Sequence, residues 1–286
     1  GKYTVTTYVG QGDYAIPTTQ DFTWGVLDLN VRRSYSFTDR AIEIGMSVLD
    51  DSGKTICDSS VQLEVTDPKG KSQHFTTDNK SVVLDPGCAD RRVTNDPDYA
   101  VNYTTGKAGT YTMLMTATNA NGTRSISDSF EVKDDAPFDV ERTAFPTRIW
   151  PGVDYPVSFT IVAKEDYAGP VVETVPGSFG IMDISDAGVL SNSDATHQAL
   201  TWDVNWKTGE THTLGYKIHF PNHAPDFYVL GPLTIGTFKE ARQWQIASDS
   251  FACTLSYSAA ANWNGAAWAT CNSSYPGATT SGDTAV

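Results

Sequence analysis

The 286-residue sequence predicts an all-β chain: two tandem β-sandwiches followed by a short β-rich segment. Three observations carry this expectation. Apolar and polar residues alternate over short runs along most of the chain, the period of half-buried strands. Clusters of Gly, Pro, Asn and Asp separate these runs at spacings of about 8–12 residues, as in sandwiches and barrels. Long Ala/Leu/Glu/Lys runs that would make helices are missing, and one core seldom serves more than roughly 250 residues, so two domains are expected.

Residues 1–20 open with the alternating strand Lys2-Tyr3-Thr4-Val5-Thr6-Thr7-Tyr8-Val9, followed by a Gly/Pro-marked turn from Gly10 to Pro17. This strand either pairs within its own domain or adds to a sheet edge of a neighbouring subunit, and the residues do not separate the two. Residues 21–135 make the first sandwich. Its strand runs are Phe22 to Leu27, Ala41 to Leu49, Val61 to Val65 and Ser81 to Leu84, stopped by Asp50 to Lys54, Asp67-Pro68-Lys69-Gly70 and Asp85-Pro86-Gly87. The clearest element runs from Thr110 to Val132. Tyr111, Met113, Met115 and Ala117 alternate up to Asn121-Gly122, a dipeptide that tolerates positive φ, and Ile126, Phe130 and Val132 return at period two. That pattern is an antiparallel hairpin.

Residues 134–145 read as a linker running into the first strand of the second domain, and Pro146 and Pro151 interrupt the chain just beyond it. Short Pro-marked joints favour an extended, beads-on-a-string arrangement. Residues 136–237 make the second sandwich, with a strand at Val157 to Val162, a short proline-bounded strand at Pro170 to Pro176, and a hairpin from Leu200 to Phe220 turning at Lys207 to Glu210. Residues 238–286 form the β-rich extension. In its first part Trp244 and Ile246 at period two favour strand over helix.

The runs Ser47 to Lys54 and Val61 to Gly70, with Gly109-Thr110-Tyr111 through Ala117 to Gly122, resemble the immunoglobulin-like macroglobulin and bacterial surface-protein domains over residues 35–133. In the second domain Tyr155, Val157, Gly169, Val171, Glu173, Pro176, Trp202, Val204, Gly209, Glu210, Leu214 and Tyr216 are similar to immunoglobulin-like spacer repeats of bacterial and archaeal surface proteins. Asn262 to Trp268, Tyr275-Pro276-Gly277 and Gly282 to Val286 look like the start of the β-helix of secreted adhesins, so the extension is expected to begin a β-solenoid in a longer polypeptide. These resemblances imply spacers and stalks, with no catalytic residues to carry over; their motifs mark a fold.

The net charge is −14. An acidic surface repels phosphate backbones, so nucleic acid is not expected as a partner. No stretch approaches the roughly 20 apolar residues of a membrane span, so no membrane insertion is expected from this segment. The expected partners are other copies of the chain or other cell-surface proteins, with glycans as a further class. Four cysteines fall into two local pairs, Cys57 with Cys88 and Cys253 with Cys271. An even, clustered set without Cys-x-x-Cys or histidines at ligand spacing favours two disulfides, hence an oxidising, extracellular compartment.

No cofactor is expected, with calcium the one candidate ion. Oxygen-rich clusters at Asp50 and Asp51, at Asn95, Asp96 and Asp98, and at the joint residues Asp134 and Asp135 offer ligands of the right type, and ordinary solvated turns explain them equally well. Trp263 and Trp268 are candidates for stacking on sugars. Asn79, Asn102, Asn121 and Asn272 begin Asn-x-Ser/Thr acceptor triplets. No nucleophile elbow, metalloprotease helix or phosphate loop appears, and the five histidines are scattered, so an enzyme is not expected. The leading expectation is an exported structural segment: stalk, sheath, surface layer or filament subunit. The alternatives are a glycan-binding adhesin module and a non-catalytic arm of a larger secreted enzyme.

Overall fold

A computed structural model describes residues 2–9, 16–23, 27–33, 35–50, 53–89, 96–120, 122–192, 194, 196–222 and 226–249. The chain starts with β1 (Lys2–Val9) and β2 (Ile16–Thr23). The first sandwich holds β3 (Leu27–Val31), β4 (Tyr35–Phe37), β5 (Ala41–Val48), β6 (Ser60–Thr66), β7 (Ser72–Thr76), β8 (Val83–Leu84), the one-turn α1 (Pro86–Ala89), β9 (Tyr99–Thr104), β10 (Gly109–Asn119) and β11 (Gly122–Lys133). The second holds β12 (Phe138–Arg142), β13 (Arg148–Ile149), β14 (Asp154–Ala163), β15 (Tyr167–Pro176), β16 (Gly180–Met182), β17 (Val189–Asn192), β18 (His197–Trp206), β19 (Thr211–His219), β20 (Asp226–Leu230), β21 (Leu233–Ile235), β22 (Phe238–Lys239) and β23 (Trp244–Ser248).

In the first sandwich the sheet β3-β5-β9-β8 packs on β4-β11-β10-β6-β7. Tyr111, Met113, Met115 and Ala117 of β10 all point inward and are buried, as their alternation requires. Tyr111 stacks on Phe130 at 5.1 Å between centroids. The Tyr111 hydroxyl also accepts from the Gly106 amide and donates to the Lys107 carbonyl. That tie fixes the turn before β10, much as the tyrosine corner does in immunoglobulin sandwiches.

In the second sandwich β12-β14-β19-β16 packs on β17-β18-β15-β21-β22, and a third sheet, β13-β23-β20, lies toward the first domain. Trp202 and Trp206, four apart on β18, are both buried in this core. A buried charge group ties its sheets together. Arg142 of β12 donates through Nη1 to Glu173 of β15 at 3.0 Å and through Nε to Glu240 at 3.1 Å, and its guanidinium lies over the rings of Phe145 and Phe159. Glu240 Oε2 also accepts the Leu233 amide at 2.8 Å. Gly231 closes over this group with φ +84°, and a Cβ there would meet Arg142 Nη2 at 2.6 Å. Burial and then Glu240 push the Glu173 carboxyl up to about 7, against the pull of Arg142.

Four expectations need correction. The run Phe22 to Leu27 is not one strand: β2 ends at Thr23 and β3 begins at Leu27, and β1 and β2 form a separate two-stranded sheet. Pro170 and Pro176 lie within β15 rather than bounding a shorter strand. Pro170 is tolerated because β21 covers only Val171 to Glu173, so its missing N–H meets no ladder partner on that side. The joint at 134–145 is not a loose one: β12 starts at Phe138 as the first strand of the second domain, and Ala136, Phe138, Val140 and Phe145 are buried. Finally, the stretch 238–248, expected in the extension, belongs to the second sandwich. Phe238, Trp244 and Ile246 sit in its core, and β23 pairs with both β13 and β20. Periodicity gave the strand, but its partners lie far away in sequence. The rest of the expected extension lies outside the described residues.

Removing Arg142 would leave Glu173 and Glu240 facing each other in the core. Arg142→Ala is expected to lower stability by about 3–5 kcal/mol, read from urea denaturation. A change below about 1 kcal/mol would show that the group is not an organising element.

Candidate functional site at the junction of the sandwiches

The described residues place their densest buried polar chemistry at the junction between the two domains. It starts with β3. All five of its residues are buried. Leu27, Leu29 and Val31 fill the first core. The opposite face, Asp28 and Asn30, would be solvated on an edge strand, but here it meets the second domain.

Two side chains of the second domain cap this edge. Gln245 of β23 accepts the Leu29 amide at 3.1 Å through Oε1, and Arg242 donates through Nη2 to the Leu29 carbonyl at 2.6 Å. Asn30 returns the arrangement: its Oδ1 accepts the Gln245 amide at 2.8 Å and its Nδ2 donates to the Gln245 carbonyl at 2.7 Å. Asp128 of β11 accepts from both Arg242 and Gln245. A strand edge that would otherwise expose unpaired amides is closed by side chains.

Beside it runs a relay of ion pairs. Arg148 of β13 donates to both oxygens of Asp98, just before β9, at 2.8 and 2.9 Å. Its Nη1 reaches Asp249 at 3.1 Å, and Asp249 accepts the Thr55 amide at 3.1 Å and hydroxyl at 2.7 Å. The relay therefore crosses the junction twice, from Asp98 to Arg148 and from Asp249 to Thr55. Gly45 of β5 allows the close approach: a Cβ there would lie 2.8 Å from Pro97, next to Asp98. On the other flank Arg33 binds Asp139 and Glu141 of β12, and Arg40 binds Asp139 at 2.6 Å. The expected extended, loosely jointed arrangement is thus replaced by a welded one.

Asp28 sits inside this seam, and neither of its carboxylate oxygens accepts a hydrogen bond among the described residues. Ser47, its neighbour on β5, donates its hydroxyl to Thr147 at 3.2 Å. Burial, then Asp98, hold the Asp28 carboxyl well above the ordinary carboxylate range, against a weaker pull from Arg148.

The cysteines bear on the same seam. Cys57 and Cys88 are joined as a disulfide with Cα atoms 5.8 Å apart. Cys57 follows Thr55 by two residues, and Cys88 belongs to the turn whose Asp85 amide binds the Asp98 carbonyl at 2.8 Å. The bond braces both first-domain ends of the relay.

The other predicted site residues are not brought together. Asp98 is taken up by Arg148. Asp50 accepts the Lys54 amide within its turn at 2.9 Å, and Asp135 accepts the Ala136 amide at 2.9 Å. Asp96 and Asp134 are exposed. Among the described residues no group of three or more His, Cys, Asp or Glu is placed to hold a metal ion. Asn79 and Asn102 are exposed, the first in a turn and the second on β9. Asp51, Asn95, Asn121, Cys253, Trp263, Trp268, Cys271 and Asn272 lie outside the described residues. Among the described residues no helix is long and apolar enough to cross a membrane.

Sequence reasoning missed Asp28, Asn30, Arg148, Arg242, Gln245 and Asp249. The alternation Leu27-Asp28-Leu29-Asn30-Val31 is what a strand with one wet face shows. Nothing local distinguishes a face covered by another domain.

No protein-family model matches the chain. No curated protein sequence matches it. Similar solved structures include a putative membrane-anchored protein from Corynebacterium diphtheriae, 11% identical, with a TM-score of 0.29 over 82% of this chain and 60% of that one. Elastase-activated alpha-2-macroglobulin from Escherichia coli is 13% identical, with a TM-score of 0.26 over 88% of this chain and 25% of that one. The fibronectin(III)-like modules of Clostridium thermocellum CbhA are 12% identical, with a TM-score of 0.25 over 78% of this chain and 94% of theirs. The chain thus spans 60% of the length of the first of these and a quarter of the second. At such identities and TM-scores, none of them bears on activity.

A carboxyl raised on folding takes up a proton. Its stabilising contribution is complete below the unfolded value, about 4, and is lost as pH rises through the folded value. Asp28 and Glu173 share this sign. Asp28→Asn, which fixes the neutral form, is therefore expected to raise Tm at pH 8, by roughly 2–4 °C per kcal/mol recovered, and to change it little at pH 4. A lower Tm at pH 8 would mean that Asp28 is ionised and favourable in the seam.

Proposed function

We propose that the chain is a non-catalytic extracellular structural module: a two-sandwich spacer of a cell-surface protein, of the kind used in stalks, sheaths, surface layers or filaments. The observation that carries this reading is the seam. A spacer transmits force and holds distance only if its modules do not hinge, and interdomain contacts are by default polar and mobile. Here Arg148, Asp98, Asp249 and Thr55 form a buried relay, and Asn30, Gln245 and Arg242 close the adjoining strand edge.

Two further features fit an exterior setting. The Cys57–Cys88 disulfide persists in oxidising compartments and adds on the order of 3 kcal/mol by restricting the unfolded chain. A net charge of −14 keeps neighbouring copies soluble. The four described tryptophans, Trp150, Trp202, Trp206 and Trp244, are all buried, so none of them is offered for sugar stacking.

The reading predicts that the protein is exported and oxidised in its source cells. Protein trapped there with an alkylating agent before lysis should show Cys57 and Cys88 unmodified until reduction, and protease added to intact cells should remove it. Alkylated cysteines together with protection from the protease would contradict export.

A further inference from the structure

The two sheets of the first sandwich both present an edge toward the junction, and the protein treats them differently. The edge of β3 is capped by Gln245 and Arg242. Along Thr123 to Ser129 no strand among the described residues pairs with the edge of β11 beside it. β11 pairs with β10 along its whole length, but β4 covers its other side only at Glu131 to Lys133.

The turn decides which groups face outward. Asn119 and Gly122 close a two-residue loop and form a hydrogen-bonded pair, so bonding to β10 recurs at Arg124, Ile126 and Asp128. The main-chain groups of Thr123, Ser125, Ser127 and Ser129 therefore point away from β10. The Thr123 carbonyl accepts from the Arg124 guanidinium at 3.2 Å, and the Ser129 amide donates to Asp128 at 2.8 Å. The amides and carbonyls of Ser125 and Ser127 have no partner among the described residues. No proline or lysine guards this stretch, whose charges are Arg124 and Asp128, and its second half, Ile126 to Ser129, forms one wall of a groove of about 610 Å³ opposite Phe227 and Val229.

A strand of matching length is also incomplete. β1 has eight residues, and its only sheet neighbour among the described residues is β2. A two-stranded hairpin is marginal in water unless it gains a third strand or a packing surface. β2 carries Pro17, which lacks a donor, and lies near β20. β1 has no proline and only Lys2 as a charge, so its outer edge is the one suited to pairing.

We propose that β1 of one copy adds as a strand to the Thr123–Ser129 edge of β11 in a second copy. The contact joins two different surfaces, so it is head-to-tail and propagates into an open chain rather than a closed dimer. Main-chain hydrogen bonds supply the attraction, as in other strand additions. Repulsion between copies of charge −14 opposes it, so assembly strengthens with salt. The inference rests on the two edges and not on export: an exported monomer would overturn it alone, and an intracellular polymer would overturn only the proposed location.

Sedimentation velocity on the full chain tests it, with two variants. One lacks residues 1–9 and keeps only the accepting edge. The other, Ser127→Pro, keeps only the donor strand; its lost N–H points away from β10, and proline is tolerated at strand edges. The full chain should at least double its weight-average mass between roughly 1 and 100 μM, the range of weak specific contacts. Each variant alone should stay monomeric with an unchanged far-ultraviolet circular dichroism spectrum, and the two mixed should form a one-to-one dimer that grows no further. A full chain that stays monomeric at moderate salt overturns the proposal, as do variants that still polymerise or a mixture that does not pair. If Ser127→Pro unfolds, Ser125→Pro takes its place in the mixture.

Discussion

A guanidinium sealed between two carboxylates, almost wholly removed from solvent, is the constraint from which the junction is built. Arg148 cannot be buried without both Asp98 and Asp249, and each carboxylate is costly to bury without it. Asp98 belongs to the first sandwich, whereas Arg148 and Asp249 belong to the second. Separating the domains would strand Arg148 and Asp98 in different surroundings and release Thr55 from Asp249. The pair adds less net stability than its contacts suggest, because desolvation offsets much of the attraction. It specifies one arrangement of the domains, since any other leaves a charge uncompensated.

Arginine use obeys the same logic. Of the nine arginines in the sequence, Arg32, Arg33, Arg40, Arg142, Arg148 and Arg242 all lie at or beside the junction. A chain with a large excess of acidic residues concentrates its planar cations where two sandwiches meet. Carboxylates and carbonyls there receive several donors at once, which lysine cannot supply in fixed geometry. The outer surface is left acidic, while the seam sets its carboxylates against guanidinium groups.

The features legible in the sequence were those that depend on local order. The hairpin predicted over Thr110 to Val132 is β10 and β11, because alternation and a tight turn are both local signals. The all-β class and the Cys57–Cys88 pair were legible for the same reason: short runs, short loops, and two cysteines in one domain. The features that escaped depend on partners distant in sequence. Asp28 and Asn30 carry the signature of a wet strand face, yet Asn30 bonds to a residue more than two hundred positions away. The joint looked loose because Asp134, Asp135 and Pro137 stand just before the first strand of the second domain, yet Phe138 and Val140 fill a core and Arg142 anchors it. The prolines at 146 and 151 mark the entry to β13 and the turn after it, not a hinge.

The decisive property is whether the two sandwiches move as one body. Amide ¹⁵N relaxation with residual dipolar couplings on the full chain measures this directly. A welded seam predicts one rotational correlation time and one alignment tensor fitting amides from β5, β6 and β10 together with those from β14, β15 and β18. Two tensors of different magnitude for the two groups would show independent motion and contradict it.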